Sequence, residues 1–511
     1  MKILVQAGGL GTRMEYLTHC KPKALIPVRN RPILFQLLDI FNAEEDEFVV
    51  IGDYKYDVLD SYLTTFQKSR SVILVKSSFK GNVAGIKEAL KYFPDNEPIL
   101  IVWSDLLLPK DLKEQIKGLK IEQGAAVGTV DFPCSWRMSD GHLVHSKGDK
   151  NGVAGLYYFS SKALLNNLPE AGSFTTWLST QDFPLINFPI RGCEDVGTLS
   201  AYRSVEDRKF RCRPYNKITI NADTVIKEGL TSEAVTFIKR EIDWYKKALE
   251  FGIENIPQLI KDSPLTLTKI HGENVFDAKL SIVQKRLVFG NIVEALERMH
   301  SYGTEPANSW DLYFEYFVKT LNRVRSIAPV LPFNNQKLIK INGIACHNIL
   351  NNVELFRRCI LSTLMSSRFA FYHGDCQLTN TLVDGAGKVY FIDPRGYFGK
   401  TKIIGDVRYD WAKLYFAIFG NFDQFNVKNF KLTIHDDSVE FEIGSGGWEF
   451  LAQELFSSIP KEEGNQKEIE LIHSIVWLSL ASHAWEDFDS MVVAFCNGTL
   501  LFEKWIQKYY E

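Results

Sequence analysis

The amino-acid sequence predicts two domains in tandem, the first α/β on a mostly parallel sheet and the second opening with short strands and continuing mainly helical. Three observations lead there. The 511 residues exceed one ordinary core, because domains usually run to ~100–200 residues. Residues 1–205 alternate short apolar runs with helical patterns, the mark of strands joined by crossover helices. The character then changes near Tyr202–Pro214, where Arg203, Arg208, Lys209, Arg211 and Arg213 crowd together before Pro214.

In the first domain, Ile3–Ala7, Phe48–Ile51, Val72–Val75 and Ile99–Trp103 are expected as buried strands. Pro32–Phe41 and Ala84–Tyr92 are expected as intervening helices, with further strands at Ala125–Val130 and Gly155–Phe159. Past the boundary, Lys217–Asn221, Thr224–Lys227 and Leu265–Lys269 are expected as strands around a helix at Ser232–Leu249. From Leu287 the pattern is mainly helical, with a loop-rich stretch at 372–406. Phe430–Ile434 and Val439–Ile443 suggest an inserted β-hairpin.

Composition excludes several classes. A formal net charge of −3 provides no basic field for a nucleic-acid backbone, so nucleic acid is not expected as partner. Eight cysteines without a Cys-x-x-Cys pair fit free thiols in a reducing cytoplasm rather than zinc sites. No apolar run approaches the roughly 20 residues of a membrane span, and the start MKILVQAGG does not read as a signal peptide.

The first chemical constellation follows the opening strand. Gly8-Gly9-Leu10-Gly11-Thr12-Arg13 brings backbone N–H groups close to a phosphate, and Arg13 can fork onto two of its oxygens. Lys23, in Lys21-Pro22-Lys23, adds local positive charge. This resembles the sugar-phosphate nucleotidyltransferase family, whose signature is Gly-Gly-x-Gly-Thr-Arg with a Pro-Lys about ten residues on. The resemblance runs through Gly81-Asn82-Val83-Ala84-Gly85, Ser104-Asp105, Asn151–Tyr157 and Glu194-Asp195-Val196-Gly197-Thr198. It implies a Rossmann-like sheet over 1–205 and transfer of a nucleotidyl group from an NTP to a phosphate monoester. It also implies a nucleotide held by Gly8, Gly9, Gly11, Thr12 and Gly81, catalytic roles for Arg13 and Lys23, and Mg²⁺ shared by Asp105 and Asp195. Two anionic reactants require such a cation. The chain departs from the family at Trp103-Ser104, where a Gly is commoner, and at Met14, where a Pro often stands.

The second constellation is His373-Gly374-Asp375 with Asn380, then Ile392-Asp393-Pro394-Arg395. One carboxylate accepting a hydroxyl proton, with an Asn and a second Asp on a metal, is the set that phosphoryl transfer needs. It resembles the aminoglycoside phosphotransferase and choline kinase family, a small-molecule branch of the protein-kinase-like fold. That implies a bilobal α+β domain over 210–511, with lobes at about 210–272 and 273–511. Asp375 would be the base, and Asn380 and Asp393 the Mg²⁺ ligands. Lys227, paired with Glu241, would grip the ATP phosphates. His300, Asp406 and Asp410 are expected as structural supports.

Together the two resemblances imply a kinase that makes a phosphate monoester and a nucleotidyltransferase that activates it. ATP and a second NTP would be substrates, and the product an NDP-sugar or related precursor of surface polysaccharide. A CDP-alcohol made from an amino alcohol, or a kinase carrying a non-catalytic nucleotide-binding domain, stays open. The sequence leaves the acceptor, the NTP and the oligomeric state undecided.

Overall fold

The computed structural model describes residues 1–41, 45–67, 72–77, 81–206 and 216–510. The chain splits into two compact units: Met1–Arg208 with Glu486–Asp489, and Lys209–Trp485 with Ser490–Glu511. Of the basic run expected at the domain boundary, Arg208, Lys209, Arg211 and Arg213 lie outside the described residues, as do Cys212 and Pro214.

The first unit is a mixed α/β body around a parallel-rich sheet. Strands β1 (Lys2–Gln6), β2 (Glu47–Gly52), β3 (Val72–Lys76) and β4 (Ile99–Trp103) are all parallel, with β1 between β2 and β4. Helices α1 (Ile33–Ile40), α2 (Tyr56–Phe66) and α3 (Asn82–Ala89) connect them. Ile3, Leu4 and Val5 are fully buried. Such an uninterrupted apolar run suits a strand covered on both faces. The sheet continues antiparallel through β5 (Ala125–Val130), β6 (Arg137–Ser139), β7 (His142–Val144) and β8 (Gly152–Phe159), while β9 (Leu185–Pro189) lies parallel to β5. Expected strand and helix positions agree with these to within a few residues. The helix expected at Ala84–Tyr92 begins earlier, at Asn82, and tightens into a 3₁₀ turn over Leu90–Tyr92.

The second unit opens with an antiparallel sheet of β10 (Asn216–Ile220), β11 (Thr224–Gly229), β12 (Leu259–Lys261) and β13 (Leu265–Thr268), in the order β10-β11-β13-β12. Helix α4 (Ser232–Glu250) leaves β11, its N-terminus capped by the Thr231 hydroxyl accepting from the Ala234 amide. Helix α5 (Ile282–His300) starts with a capping box between Ser281 and Gln284.

From here the chain is mainly helical, as expected, but short strands that the periodicity did not announce are set between the helices. β14 (Leu338–Ile341) and β15 (Ile344–His347) form a hairpin, and β14 pairs in parallel with the second strand of the expected 430–443 hairpin. That hairpin, β20 (Phe430–Ile434) and β21 (Ser438–Ile443), is therefore part of a four-stranded sheet, not a free insertion. The stretch 372–406 also carries more strand than expected. β16 (Arg368–Phe371) pairs with β19 (Ile404–Asp406), and β17 (Thr381–Asp384) with β18 (Val389–Phe391). Strands of three or four residues are too short to show a period of two. Helices α7 (Arg408–Ile418) and α8 (Gln466–Ala481) pack on each other, and α6 (Lys319–Ile327) lies against α8.

Candidate active sites

In the first unit, β1 delivers the chain to a loop whose glycines have different reasons to be glycine. A Cβ on Gly8 would stand 2.7 Å from the Asp53 Cβ, and Gly11 has φ of 64°. Gly9 faces open space, so its backbone is the part of the loop that a phosphate can approach freely. Thr12 and Arg13 are exposed. Arg13 has no hydrogen-bond or ion-pair partner among the described residues. Gly81 precedes α3 with φ of 87°, and a Cβ there would lie 2.5 Å from the Gly172 carbonyl oxygen. Asn82 ties down the same turn, its Oδ1 accepting from the Phe174 amide at 2.8 Å.

Lys23, Asp105 and Asp195 come together although the chain separates them widely. Asp105 sits in the turn after β4, where the Ser104 amide donates back to the Gln6 carbonyl. Glu194–Asp195 pairs antiparallel with Leu106–Leu107, and the Val196 amide donates to the Asp105 carbonyl at 3.3 Å. Lys23, a buried lysine, places Nζ 3.1 Å from Asp105 Oδ2 and 3.4 Å from the Gly197 carbonyl. The Gly197 amide in turn donates to Asp195 Oδ1 at 2.7 Å. Burial pushes the Cys134 thiol up to about 11 and Cys193 up to about 12, and Asp195 and Asp105 both add to it. Both carboxylates therefore bear on one small region at the carboxyl ends of the strands, where open α/β sheets bind ligands. Trp136 packs on His145, with ring centroids 4.9 Å apart.

In the second unit, Lys227 lies within β11 and bonds Glu241 of α4 at 2.8 Å and Asp393 at 2.6 Å. Burial disfavours the lysine's charge, but Asp393 and Glu241 hold its pKa above the ordinary value. Asp393 has φ of 55°, a left-handed backbone that a β-carbon tolerates at some cost.

The loop that carries Asp375 is held from below. Asp410, buried on α7, accepts from the amides of His373 at 2.7 Å and Gly374 at 2.6 Å. His300 connects Asp410 at 3.2 Å to Glu463 at 2.8 Å. Asp406 binds the buried Arg408 guanidinium and the Tyr316 hydroxyl. His373 Nδ1 accepts the Asp375 amide at 3.2 Å, and burial lowers the pKa of this ring. Asn380 Nδ2 donates to Asp375 Oδ2 at 2.8 Å. The Ile392 amide donates to the Asn380 carbonyl and the Arg395 amide to the His373 carbonyl. Asp375, Asn380 and Asp393 thus share one pair of mutually bonded segments.

Lys413, to which sequence reasoning assigned no role, binds Asp375 Oδ1 at 2.8 Å and is itself buried. Its signal was its spacing: three residues after Asp410 on one helix, it faces the same loop. Asp423 was also missed. It is 3% exposed, and burial pushes its carboxyl up to about 7.

Among the described residues no cluster of three or more His, Cys, Asp or Glu surrounds a metal position. The donor sets present are carboxylate and amide oxygens, hard ligands that suit Mg²⁺ bound mainly through substrate phosphates. With Nδ2 of Asn380 committed to Asp375, its Oδ1 is the end left for a cation. No helix of the described residues is long and apolar enough to cross a membrane. The seven described cysteines are all unbridged.

Residues 3–133 match the family model of the MobA-like NTP transferase domain. The chain is 32% identical over 159 residues to a mannose-1-phosphate guanyltransferase of Pichia angusta, covering 30% of this chain and 43% of that one. It is 26% identical over 157 residues to the glucose-1-phosphate cytidylyltransferase of Salmonella typhimurium, covering 26% of this chain and 61% of that protein. The chain thus spans less than two thirds of either relative. The crystal structure of HddC from Yersinia pseudotuberculosis is similar over 40% of this chain and 97% of its own, at 20% identity and a TM-score of 0.35.

Proposed function

We propose that the chain is a bifunctional enzyme. Its second unit phosphorylates a small hydroxylated acceptor with ATP, and its first transfers a nucleotidyl group from an NTP to the resulting phosphate monoester. The product would be an NDP-sugar or a related activated precursor for surface polysaccharide. The observation that carries this reading is the convergence of two separate sets. Lys23, Asp105 and Asp195 meet at the strand ends of one unit. Asp375, Asn380, Asp393, Lys227 and Glu241 meet in the other. The sugar-phosphate side of the reading is supported by what the similar guanyl- and cytidylyltransferases are named for.

In the first unit, Gly8, Gly9, Gly11 and Thr12 would cradle the NTP phosphates, with Gly81 at the turn beside the base and sugar. Arg13 is exposed and has no partner among the described residues, as a group that meets the ligand only on binding should be. Lys23 would bind charge developing on the pyrophosphate, and Asp105 and Asp195 would hold Mg²⁺. In the second unit, Asp393 and Asn380 would hold Mg²⁺. Bound there, the ion neutralises the nucleotide's phosphate charge. Glu241 keeps Lys227 oriented, so that the ammonium can pass from Asp393 to the phosphates. Asp375 takes the acceptor's hydroxyl proton as the oxygen attacks the γ-phosphorus and the bond to ADP breaks.

Phosphorus NMR of ATP with each NTP and a panel of sugars would follow both steps. Asp375→Asn should abolish monoester formation, by ~10²–10⁴-fold, and spare activation of supplied monoester. Asp195→Asn should do the reverse. Equal loss of both steps in either folded variant would overturn the reading of two independent sites.

A further inference from the structure

We propose that the acceptor of the second unit carries an oxyanion, a phosphate or a carboxylate, which docks in a basic cluster around Tyr397 beside Asp393. The inference deepens the kinase reading and rests on it.

Arg395 lies two residues past Asp393, with its amide bound to the His373 carbonyl at 2.9 Å, so it is fixed to the loop that carries Asp375. Its guanidinium lies 4.3 Å from the Tyr397 ring centroid and 4.9 Å from that of Tyr409. Nη2 donates to Glu315 Oε2 at 2.6 Å, while Nη1 is buried with no hydrogen-bond partner among the described residues. Such an orphaned cationic donor is costly unless something arrives to bind it.

Further basic side chains gather on the same ring. Arg240 of α4 stands 4.7 Å from the Tyr397 centroid and Lys319 of α6 stands 5.8 Å from it. Arg323 also bears on this phenol, and its Nη1 donates to the Ser479 hydroxyl at 2.9 Å. The carboxylate facing these groups is Glu315, which serves both Lys319 and Arg395. Asp311, four residues earlier, is taken up by the Thr401 amide. Neither Arg240 nor Arg323 has a carboxylate partner among the described residues. The imbalance is felt inside the cluster. Burial, Arg395 and Arg323 hold Lys319 well below the ordinary lysine range. Arg395 lowers the Tyr397 phenol despite its burial.

This cluster is separate from the nucleotide's own cation. Arg240 is the neighbour of Glu241, and adjacent residues on a helix point about 100° apart. Glu241 faces Lys227, whereas Arg240 meets the segment after Asp393: a Cβ on Gly396 would be 2.7 Å from the Arg240 carbonyl. The cluster therefore borders the reacting centre without sharing the Lys227–Glu241 pair. Planar guanidinium forks suit phosphate and carboxylate alike.

The test uses the full-length protein with Mg-ATP and measures ADP release against a hexose, its phosphate ester and its uronate. The two anionic acceptors should be preferred, and which of them leads tells phosphate from carboxylate. Inorganic phosphate should compete with the acceptor and not with ATP. Arg323→Gln should raise the acceptor KM about 10–100-fold, the size expected for a charged hydrogen bond, leave the ATP KM unchanged and abolish competition by phosphate. Arg240→Gln should shift the same constants in the same direction. If the neutral hexose is used as well as the anions, or if Arg323→Gln leaves the anions' KM unmoved, the inference fails while the kinase reading stands. If no acceptor releases ADP, both fall.

Discussion

Replacing His300 by leucine should uncouple the Asp375 loop from its support and remove a pH dependence built into the second unit. His300 and Asp410 are fully buried, and Glu463 nearly so. Burial opposes charge on the ring, but the hydrogen bonds to Asp410 and Glu463 outweigh it and raise the pKa from 6.5 to about 9. The same contacts hold Asp410 and Glu463 below their ordinary values against burial. Between pH 6.5 and about 9 the folded chain binds a proton that the unfolded chain has released. Stability from this group is therefore complete below pH 6.5 and lost as pH rises toward 9, by about 3 kcal/mol. The carboxylates contribute in the opposite sense, losing stability as pH falls through their lowered values. Leucine leaves the buried Asp410 without its cation, while Glu463 keeps Arg368 at 3.2 Å, at a cost of about 3–5 kcal/mol. Asp410 then loses its hold on the His373 and Gly374 amides, so phosphoryl transfer should fall while nucleotidyl transfer persists. Urea denaturation at pH 6, 7.5 and 9, followed by tryptophan fluorescence, would measure this. Trp411 is a local reporter, its Nε1 donating to Glu463 at 2.9 Å. If the wild-type midpoint for this transition does not drop more steeply with pH than the variant's, the charged triad is refuted.

Lys413→Met should reduce phosphoryl transfer about 10–100-fold by removing the cation that orients Asp375. In an Asp375→Asn background it should cost little more; an additive loss in enzyme assays would mean that Lys413 acts elsewhere. Gly81→Ala should strain a left-handed backbone and drive a Cβ against the Gly172 carbonyl, for about 1–3 kcal/mol. NTP affinity measured by calorimetry should fall, and an unchanged Kd would show that the turn does not touch the nucleotide. Lys23→Met should lower nucleotidyl transfer about 10²-fold or more in a pyrophosphate-release assay, leaving the kinase step intact.

The order of strands and helices in the first unit was legible because apolar runs such as Ile3–Val5 and Ile99–Val102 are long enough to display burial on both faces. The same holds for α4, whose apolar face repeats over five turns. The short strands around the Asp375 loop carried no such signal. Their pairing is long-range, as where Lys340 meets Ser438, and no local pattern encodes a partner a hundred residues away. Candidate carboxylates could be named from spacing, since a short motif retains its chemistry in one dimension. Which cation each carboxylate meets could not: Lys413 reaches Asp375, and Lys227 reaches Asp393, only after helices and strands distant in sequence pack together. The basic cluster on Tyr397 is the extreme case, because Arg240, Lys319, Arg323 and Arg395 are unremarkable one at a time. Chain composition and local periodicity determine which groups exist and which segments bury them. Tertiary packing alone decides which charges share one low-dielectric space, and it is that proximity, through the inverse dependence of electrostatic energy on distance and dielectric, that gives them a function.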